Sequence, residues 1–260
     1  EGIKNNIQPI IGSSINFLDV IVGSKISQIT FLVKNEIGYK NLLQLSSISH
    51  INNKKNVGIN FSHIENFSEG LFCYFGGELN PLILLKKENK KSEIIKLTQK
   101  FKKIFKENFL FEIQRINNLD LDLFEKEFIN LAKDFDIPLI GSNNVKYAEK
   151  EDFQAHDALL CIAQKSTVNN SNRITSNENI YFKSSDEMYS NFKDIPEIIQ
   201  NNFNISISCS YFPESTKPKL PEFINELDLS AEEYLIKLSE EGLKSKIKDL
   251  DFNNTKIYND

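Results

Sequence analysis

The sequence predicts an α/β fold in which strands and helices alternate along the chain. Short apolar runs occur at strand length, stretches between them carry an apolar stripe at helical spacing, and turn residues punctuate the breaks. The chain has 260 residues, of which 40% are apolar, so it can bury a substantial core. A regular strand, helix, strand, helix order is typical of a parallel α/β sheet or barrel.

The amino-terminal part supplies three predicted strands. EGIKNN resembles the tail of a helix, and two strands follow it in IQPIIGSSINFLDVIV and ISQITFLV, with Pro9 at a strand entrance. The third strand is GLFCYF, which ends at Gly76 and Gly77. Residues 50–69 predict a polar loop with a short helix. YKNLLQLSSIS predicts a helix that packs against the second strand, and its predicted inner face consists of Tyr39, Leu42, Leu43 and Leu45.

The middle of the chain returns to helical spacing. From Pro81 to Lys106 lysines flank an apolar stripe, and NFLFEIQ then predicts another strand. LDLDLFEKEFINLAKDFD predicts a helix, and IPLIG the strand after it. The expected stripe of the first helical stretch is Ile94, Ile95, Leu97, Phe101, Ile104 and Phe105; the inner face of the second is Leu123, Phe128, Leu131 and Phe135.

Beyond Gln164 the alternation stops. Residues 165–184 predict a long polar loop, and helices follow near Ser185–Phe192 and Pro196–Ser208. Three prolines (Pro213, Pro218 and Pro221) then indicate a boundary, placed near Phe212. The capping pattern SAEE opens a last amphipathic helix over Ser230–Leu250. The predicted domains are residues 1–212 and 213–260.

Composition limits the class of protein. The net charge of −5 gives no general nucleic-acid signature, and no apolar run is long enough to span a membrane, so we expect a soluble, cytoplasmic protein. Cys73, Cys161 and Cys209 are far apart and predict buried free thiols. Because residue 1 is Glu and the only methionine is Met188, we expect an excerpt from a longer protein.

The stretch Ile137–Ile162 is the first candidate site, because its polar loop, Ser142–Tyr147, follows the end of a predicted strand. Ligands collect at the carboxyl ends of strands in α/β folds. His50, His63 and His156 lack the spacing of a local metal motif. His156 lies on the helix after the loop, where a hydrogen bond to a neighbouring loop is the simplest role and metal or catalytic contact the alternative.

Other local signals favour ordinary structural roles. The chain has no phosphate-binding, dinucleotide-binding or nucleophile-elbow motif. Two acidic clusters sit at predicted helix starts and favour interaction with the helix dipole. The lysine-rich faces favour solvated helix surface, with DNA contact as the alternative. The acidic clusters are Asp120, Asp122 and Glu125, and Glu151 with Asp152.

Longer motifs resemble a known family. SNNVKYAEKEDFQAHDALLCIAQKSTVNNSNR, IQPIIG, ITFLVKNEIGYKNLLQLSS and EGLFCYFGG occur in the order found in the bacterial DNA polymerase III alpha subunits, the C-family replicative polymerases. FLFEIQR, IYFKSSDEM, DIPEIIQNNFNISISC and KLPEF followed by EEYLIKLSEEGL match that family's later landmarks. The matched region is the family's PHP (polymerase and histidinol phosphatase) domain and the passage leading out of it.

The resemblance implies a fold and a function. It implies an incomplete, distorted αβ barrel of the PHP, metallo-hydrolase-like type, followed by the first helix of a polymerase palm. The palm aspartates that bind Mg²⁺ would then lie beyond Asp260, so we expect no catalytic residue and no cofactor in this segment. DNA and dNTPs would bind through downstream domains, and a proofreading exonuclease subunit and a sliding clamp would be holoenzyme partners.

Departures from the family pattern fall at the metal-ligand positions. Asn144 and Lys146 stand where metal-binding members have Asp and His, so NDVH has become NNVK. Ser14 replaces an acidic ligand, and Gln28 replaces a His. An amide is a poor substitute for an anionic ligand, and an ammonium repels a divalent cation. These four degenerate positions predict a PHP domain that binds no catalytic metal.

Three functions follow as alternatives. The first is a structural or docking domain of a DNA-directed DNA polymerase. The second is a metal-dependent PHP phosphoesterase or 3'-5' exonuclease, against which the four ligand losses argue. The third is a binding module that only shares the barrel. With its first strands missing, such a barrel is expected to leave open sheet edges and to be poorly soluble alone.

Overall fold

A five-stranded mixed sheet organises the computed structural model, which describes residues 1–51, 57–214, 217–218 and 223–249. Its strands follow one another in chain order: β1 (Gly12–Val22), β2 (Lys25–Val33), β3 (Leu71–Phe75), β4 (Phe109–Gln114) and β5 (Leu139–Ser142). β1, β2 and β3 pair antiparallel, whereas β3, β4 and β5 pair parallel. The sequence-based expectation of a parallel sheet is therefore correct for only three strands. β1 and β2 differ because they are joined by a tight turn at Gly23 (φ +58°), which can connect only antiparallel strands.

Helices connect and cover the strands. Each predicted helical stretch forms, with 3-10 turns at Ile3–Asn5, Lys106–Asn108 and Lys150–Asp152. In the first unit of the chain the helices are α1 (Glu36–Ile51), α2 (Phe61–Asn66), α3 (Pro81–Lys87), α4 (Lys91–Phe105), α5 (Leu119–Asp134), α6 (Phe153–Ala163), α7 (Ser185–Asn191) and α8 (Glu197–Ser208). The stretch from Pro81 to Lys106 is two helices, because Asn89 adopts a left-handed φ of 57° between them.

Three apolar side chains predicted to face inward are exposed. Leu43 is 49%, Ile95 45% and Leu123 74% exposed. In α5 the buried positions are Leu121, Phe124, Phe128 and Ala132, which recur at intervals of three and four residues, so the prediction was correct for Phe128. The start of this helix alternates leucine with aspartate, and that local period of two concealed the helical face.

Two layers of side chains lie on opposite faces of the sheet. One face carries the main core. In it the ring centres of Phe75 and Phe101 are 4.7 Å apart, and the Phe111 ring stacks on that of Phe128 with 4.1 Å between ring centres. The other face holds a small cluster of Phe72, Leu110, Ile140 and Cys209 at one end, and polar side chains at the other. The three cysteines are buried and free, as predicted. This polar end positions the candidate site.

Helix α8 covers the outer edge of β5. Asn202 accepts a hydrogen bond from the Gly141 amide (3.1 Å) through Oδ1 and donates one to the Gly141 carbonyl (2.8 Å) through Nδ2. Asn201 Nδ2 donates to the Leu139 carbonyl (2.8 Å). These side chains satisfy backbone groups that an edge strand leaves unpaired. The expectation of an open edge is therefore wrong at β5.

The amino-terminal segment is tied to the end of α8. Gln8 Nε2 donates to the carbonyls of Ser206 (2.7 Å) and Cys209 (3.1 Å). The bonded groups are 198 and 201 residues apart in the chain. The amino-terminal segment and the carboxyl end of α8 are therefore held together in the folded chain.

The chain forms two compact units, Glu1–Pro213 and Glu214–Asp260. The second unit contains α9 (Ala231–Asp249), and Ser230 caps it: Glu233 N donates to Ser230 Oγ (3.2 Å), and Ser230 N donates to Glu233 Oε2 (2.9 Å). The predicted turn at Pro221, most of KLPEF, residue 250, and part of the predicted loop at 50–69 lie outside the described residues. In the part of the chain that the structure describes, no helix has the length and apolarity needed to cross a membrane.

Candidate functional site

An open cavity of about 580 Å³ lies at the polar end of the sheet. All four positions that the sequence singled out line it, although they come from three distant stretches of the chain: Ser14 on β1, Gln28 on β2, and Asn144 and Lys146 after β5. Pairing of Ser14 with Thr30 and of Asn16 with Gln28 sets the register of the first two. The polar loop after β5 therefore lines the same cavity as residues of β1 and β2.

The four side chains differ in how they are held. Ser14 Oγ hydrogen-bonds Thr30 Oγ1 at 2.8 Å, and Gln28 Nε2 donates to Asn16 Oδ1 at 3.1 Å. Asn144 has a left-handed φ of 46°, a conformation that asparagine tolerates better than most residues. Lys146 is exposed, and only its backbone is fixed, by donation of its N–H to the Ile180 carbonyl (2.8 Å).

Among the cavity residues that the sequence analysis missed are Glu112 and Gln114. Glu112 and Gln114 lie on β4 inside the strand predicted from NFLFEIQ, and they share one face of that strand. Glu112 is 8% exposed and accepts a hydrogen bond from Gln114 Nε2 (2.8 Å), and the Ser142 hydroxyl lies nearby. Burial raises the pKa of Glu112, and the polar groups of Ser142 and Gln114 oppose the shift. The sequence did carry a signal for this site: two polar residues, two positions apart, occur within an otherwise apolar strand.

Glycine makes room for the buried carboxylate. A Cβ on Gly76 would lie 2.0 Å from Glu112 Oε2 and 2.5 Å from Glu112 Cβ, so a side chain at position 76 is incompatible with this arrangement. On the other side lies Tyr74, whose pKa is raised by burial and by the nearby Glu112 charge. The backbone approach at Gly76 therefore fixes where Glu112 sits.

The donor set does not suit a divalent metal cluster. Glu112 and Glu78 are the carboxylates lining the cavity, and Glu78 Oε1 is engaged by Asn118 Nδ2 at 2.6 Å. Among the described residues no group of three or more His, Cys, Asp and Glu side chains is arranged to hold a metal ion. Divalent cations in proteins are held by several such ligands at once.

The partly buried ammonium of Lys183 holds the loop after β5 through hydrogen bonds. Lys183 Nζ donates to Asn143 Oδ1 (2.7 Å) and to the Asn179 carbonyl, and it lies 4.4 Å from the centre of the Tyr181 ring. Asn143 Nδ2 donates in turn to the Tyr181 carbonyl (2.6 Å). Burial lowers the pKa of Lys183. These contacts join residues 143–146 to the long loop at 165–184, a connection that local sequence patterns did not reveal.

His156 makes the loop contact that the sequence suggested. Its Nδ1 lies 2.6 Å from Ser176 Oγ, and its ring centre is 5.3 Å from that of Tyr147. Beside it, Arg173 donates to both carboxylate oxygens of Asp157, at 2.8 and 2.7 Å. His50 and His63 bond locally: His50 Nδ1 lies 2.9 Å from the Ser46 carbonyl, and Asn60 N–H donates to His63 Nδ1. All three histidines lie outside the cavity lining.

The acidic clusters combine capping with ion pairing. Asp120 pairs with Lys87 at 2.5 Å, and Glu125 pairs with Arg115 at 2.6 Å. Asp152 Oδ2 accepts from the Glu149 amide at 3.0 Å in a capping contact. The cap of α5 is Asn118, whose Oδ1 accepts from two amides of the first turn. Ion pairing therefore accounts for two of these carboxylates, and a capping contact accounts for a third.

The comparison with known families points to a class of domain: the family model described as "PHP domain" matches residues 1–116. The chain is similar to proteins named DNA polymerase III subunit alpha. It is 34% identical to the Rickettsia bellii protein over 94% of the chain, 34% identical to that of Borreliella burgdorferi over 96%, and 28% identical to that of Pseudomonas aeruginosa over 93%. The chain spans about a fifth of the length of these relatives (21%, 23% and 21%).

Proposed function

We propose that this chain is a segment of the catalytic alpha subunit of a bacterial replicative DNA polymerase, in which it serves as a catalytically degenerate PHP domain. The observation that carries the proposal is the similarity to DNA polymerase III subunit alpha along 94% of the chain, together with non-ligand side chains at the mapped metal positions. DNA-templated DNA synthesis is then the activity of the whole protein. This segment supplies no complete active site to it.

The cavity chemistry supports the loss of metal. Asn144 offers a neutral amide where an anion is needed, and the Lys146 ammonium lines the same cavity, where it would repel a divalent cation. The side chains of Ser14 and Gln28 are hydrogen-bonded to Thr30 and Asn16, respectively. What remains is a braced polar cavity, and the role that fits it is structural support or docking within the polymerase.

Finer features of the proposal follow the resemblance. The five-stranded sheet of residues 1–212 corresponds to an incomplete, distorted αβ barrel, and residues 213–260 to a linker and the beginning of the polymerase palm. Mg²⁺, DNA and dNTPs would bind to downstream domains. A proofreading exonuclease subunit and a sliding clamp would complete the holoenzyme in the bacterial cytoplasm.

A metal-dependent PHP phosphoesterase or 3'-5' exonuclease is the competing function. The two cavity carboxylates, Glu78 and Glu112, are the observation in its favour. It requires metal ligands beyond those two. The two functions predict different amounts of bound metal in the purified full-length protein, and different abilities to cleave a 3' nucleotide.

The test uses the full-length protein that carries this segment. We expect primer extension with Mg²⁺ and dNTPs, less than stoichiometric zinc or manganese by elemental analysis, and no removal of a mispaired 3' nucleotide in the absence of a separate exonuclease. The matched variant Asn144→Asp with Lys146→His should raise the retained metal. Stoichiometric metal in the unmodified protein would overturn the degenerate assignment, and failure of primer extension would overturn the polymerase assignment.

A further inference from the structure

Glu112 is a buried carboxylate that has only neutral partners. Gln114 Nε2 donates a hydrogen bond to it at 2.8 Å, and the neutral Ser142 hydroxyl lies nearby. No ion pair to Glu112 occurs in the part of the chain that the structure describes. Buried carboxylates that stay ionised are normally paired with a cation, because removing an anion from water is costly; without one, burial favours the protonated form. This position therefore lacks a positive group.

A second acceptor beside it also lacks a partner. Gln114 is 9% exposed, and its Nε2 donates to Glu112 Oε2 (2.8 Å) and to Ser142 Oγ (3.2 Å). Its Oε1 is buried with no hydrogen-bond partner among the described residues. Gly77 lies beside this oxygen, at a distance where even a Cβ would make only an ordinary van der Waals contact (3.9 Å). An unsatisfied buried acceptor is rare, and it indicates a missing donor.

Lys146 brings a positive group to the same cavity. Its side chain is exposed, and it forms no hydrogen bond or ion pair within the described ranges. Its backbone N–H is fixed to the Ile180 carbonyl, so the four-carbon stem starts from a fixed point on the cavity wall. A flexible lysine attached there can place its charge in an open space of about 580 Å³.

We propose that the cavity is an ammonium site in which an alkylammonium group binds against Glu112 and Gln114 Oε1. Three N–H donors match the carboxylate, the unpartnered amide oxygen and the Ser142 hydroxyl. The single charge suits the single buried carboxylate, whereas a divalent ion needs more anionic ligands. The ammonium comes either from Lys146 or from a small free amine. The proposal rests on the proposed absence of a divalent metal from this cavity.

A buried water is the competing occupant. A space of about 20 Å³ adjoins Glu112, Gln114 and Asn80, and it could hold one water molecule. Water would satisfy Gln114 Oε1 without any dependence on Lys146. The experiment therefore has to separate a charged occupant from a neutral one.

The test compares Lys146→Met with Lys150→Met, an exposed control outside the cavity lining, in metal-free full-length protein at a pH where carboxylates are ionised. Hydrogen exchange of the peptides covering β4 and residues 139–146 is the local readout. If Lys146 is the source, Lys146→Met exchanges roughly fivefold faster, as expected for one net hydrogen bond. Propylammonium chloride should then restore protection better than sodium chloride of equal ionic strength. Lys150→Met should leave the exchange unchanged.

Other outcomes have definite meanings. Protection by propylammonium in both variants and in the unmodified protein, without an effect of Lys146→Met, assigns the site to a free amine. Equal exchange in both variants with no propylammonium effect overturns the proposal in favour of water. The isosteric Glu112→Gln should abolish the Lys146 dependence, which keeps the test valid if Lys146→Met perturbs folding. Protection by added manganese together with stoichiometric retained metal would instead overturn the proposed function.

Discussion

Replacing Asn202 with alanine should unpair the edge of β5. The substitution removes both hydrogen bonds to Gly141, at 3.1 and 2.8 Å, and leaves a buried glycine with an amide and a carbonyl that lack partners. Each unsatisfied buried group costs about 1–3 kcal/mol, and partial access of water reduces the sum, so we expect a loss of about 2–4 kcal/mol. Urea unfolding followed by circular dichroism should show the midpoint falling by roughly 1–2 M.

Asn204→Ala is the matched control on the same helix. Asn204 Oδ1 accepts from Gln200 Nε2 (3.1 Å) on the exposed face, so its loss should cost less than about 0.5 kcal/mol. Asn202→Asp separates the two bonds, because aspartate still accepts from the Gly141 amide but places negative charge against the Gly141 carbonyl. Equal urea midpoints for Asn202→Ala and Asn204→Ala would refute the role assigned to this edge.

Three further outcomes follow from the structure. Gly76→Ala should destabilise the protein by about 1–3 kcal/mol, because the new Cβ would overlap Glu112, and thermal unfolding should show it. Leu121→Ala, at a 9% exposed position of α5, should cost about 2–5 kcal/mol, whereas Leu123→Ala at 74% exposure should be nearly neutral in the same assay. Hydrogen bonds from the Arg173 guanidinium and the Ser176 backbone amide lower the pKa of Asp157 to about 2. The ionised Asp157 therefore contributes its full stabilisation above the ordinary pKa of an aspartate, and this stabilisation is lost as the pH falls toward 2. Acid unfolding of the Asp157→Asn variant should lack that loss.

The chain order of strands and helices could be predicted, because each element carries its own periodicity. The direction of the strands could not, since the pairing of β2 with β3 depends on segments that meet across the intervening helices. The exposed position of Leu123 was missed for a local reason: LDLDL reads as alternating, while the helical period becomes clear only over Leu121, Phe124 and Phe128.

The candidate site was predicted through long motifs rather than through local chemistry. Ser14, Gln28, Asn144 and Lys146 could be connected because a family pattern orders them, and the structure gathers them in one cavity. Glu112 lay inside a strand pattern that concealed it. The support from Lys183 could not be foreseen, because its bond to Asn143 spans 40 residues and depends on how a loop returns.

The bond between Gln8 and the end of α8 has a consequence for synthesis on the ribosome. Translation adds roughly 5–20 residues per second, so about 10–40 seconds pass between the emergence of Gln8 and that of its partner carbonyl at Cys209. During that interval the amino-terminal segment lacks its final partner, and β5 lacks the asparagines that cover its edge. A nascent chain stalled before residue 201 should therefore be a preferred substrate for chaperones that recognise unpaired strands.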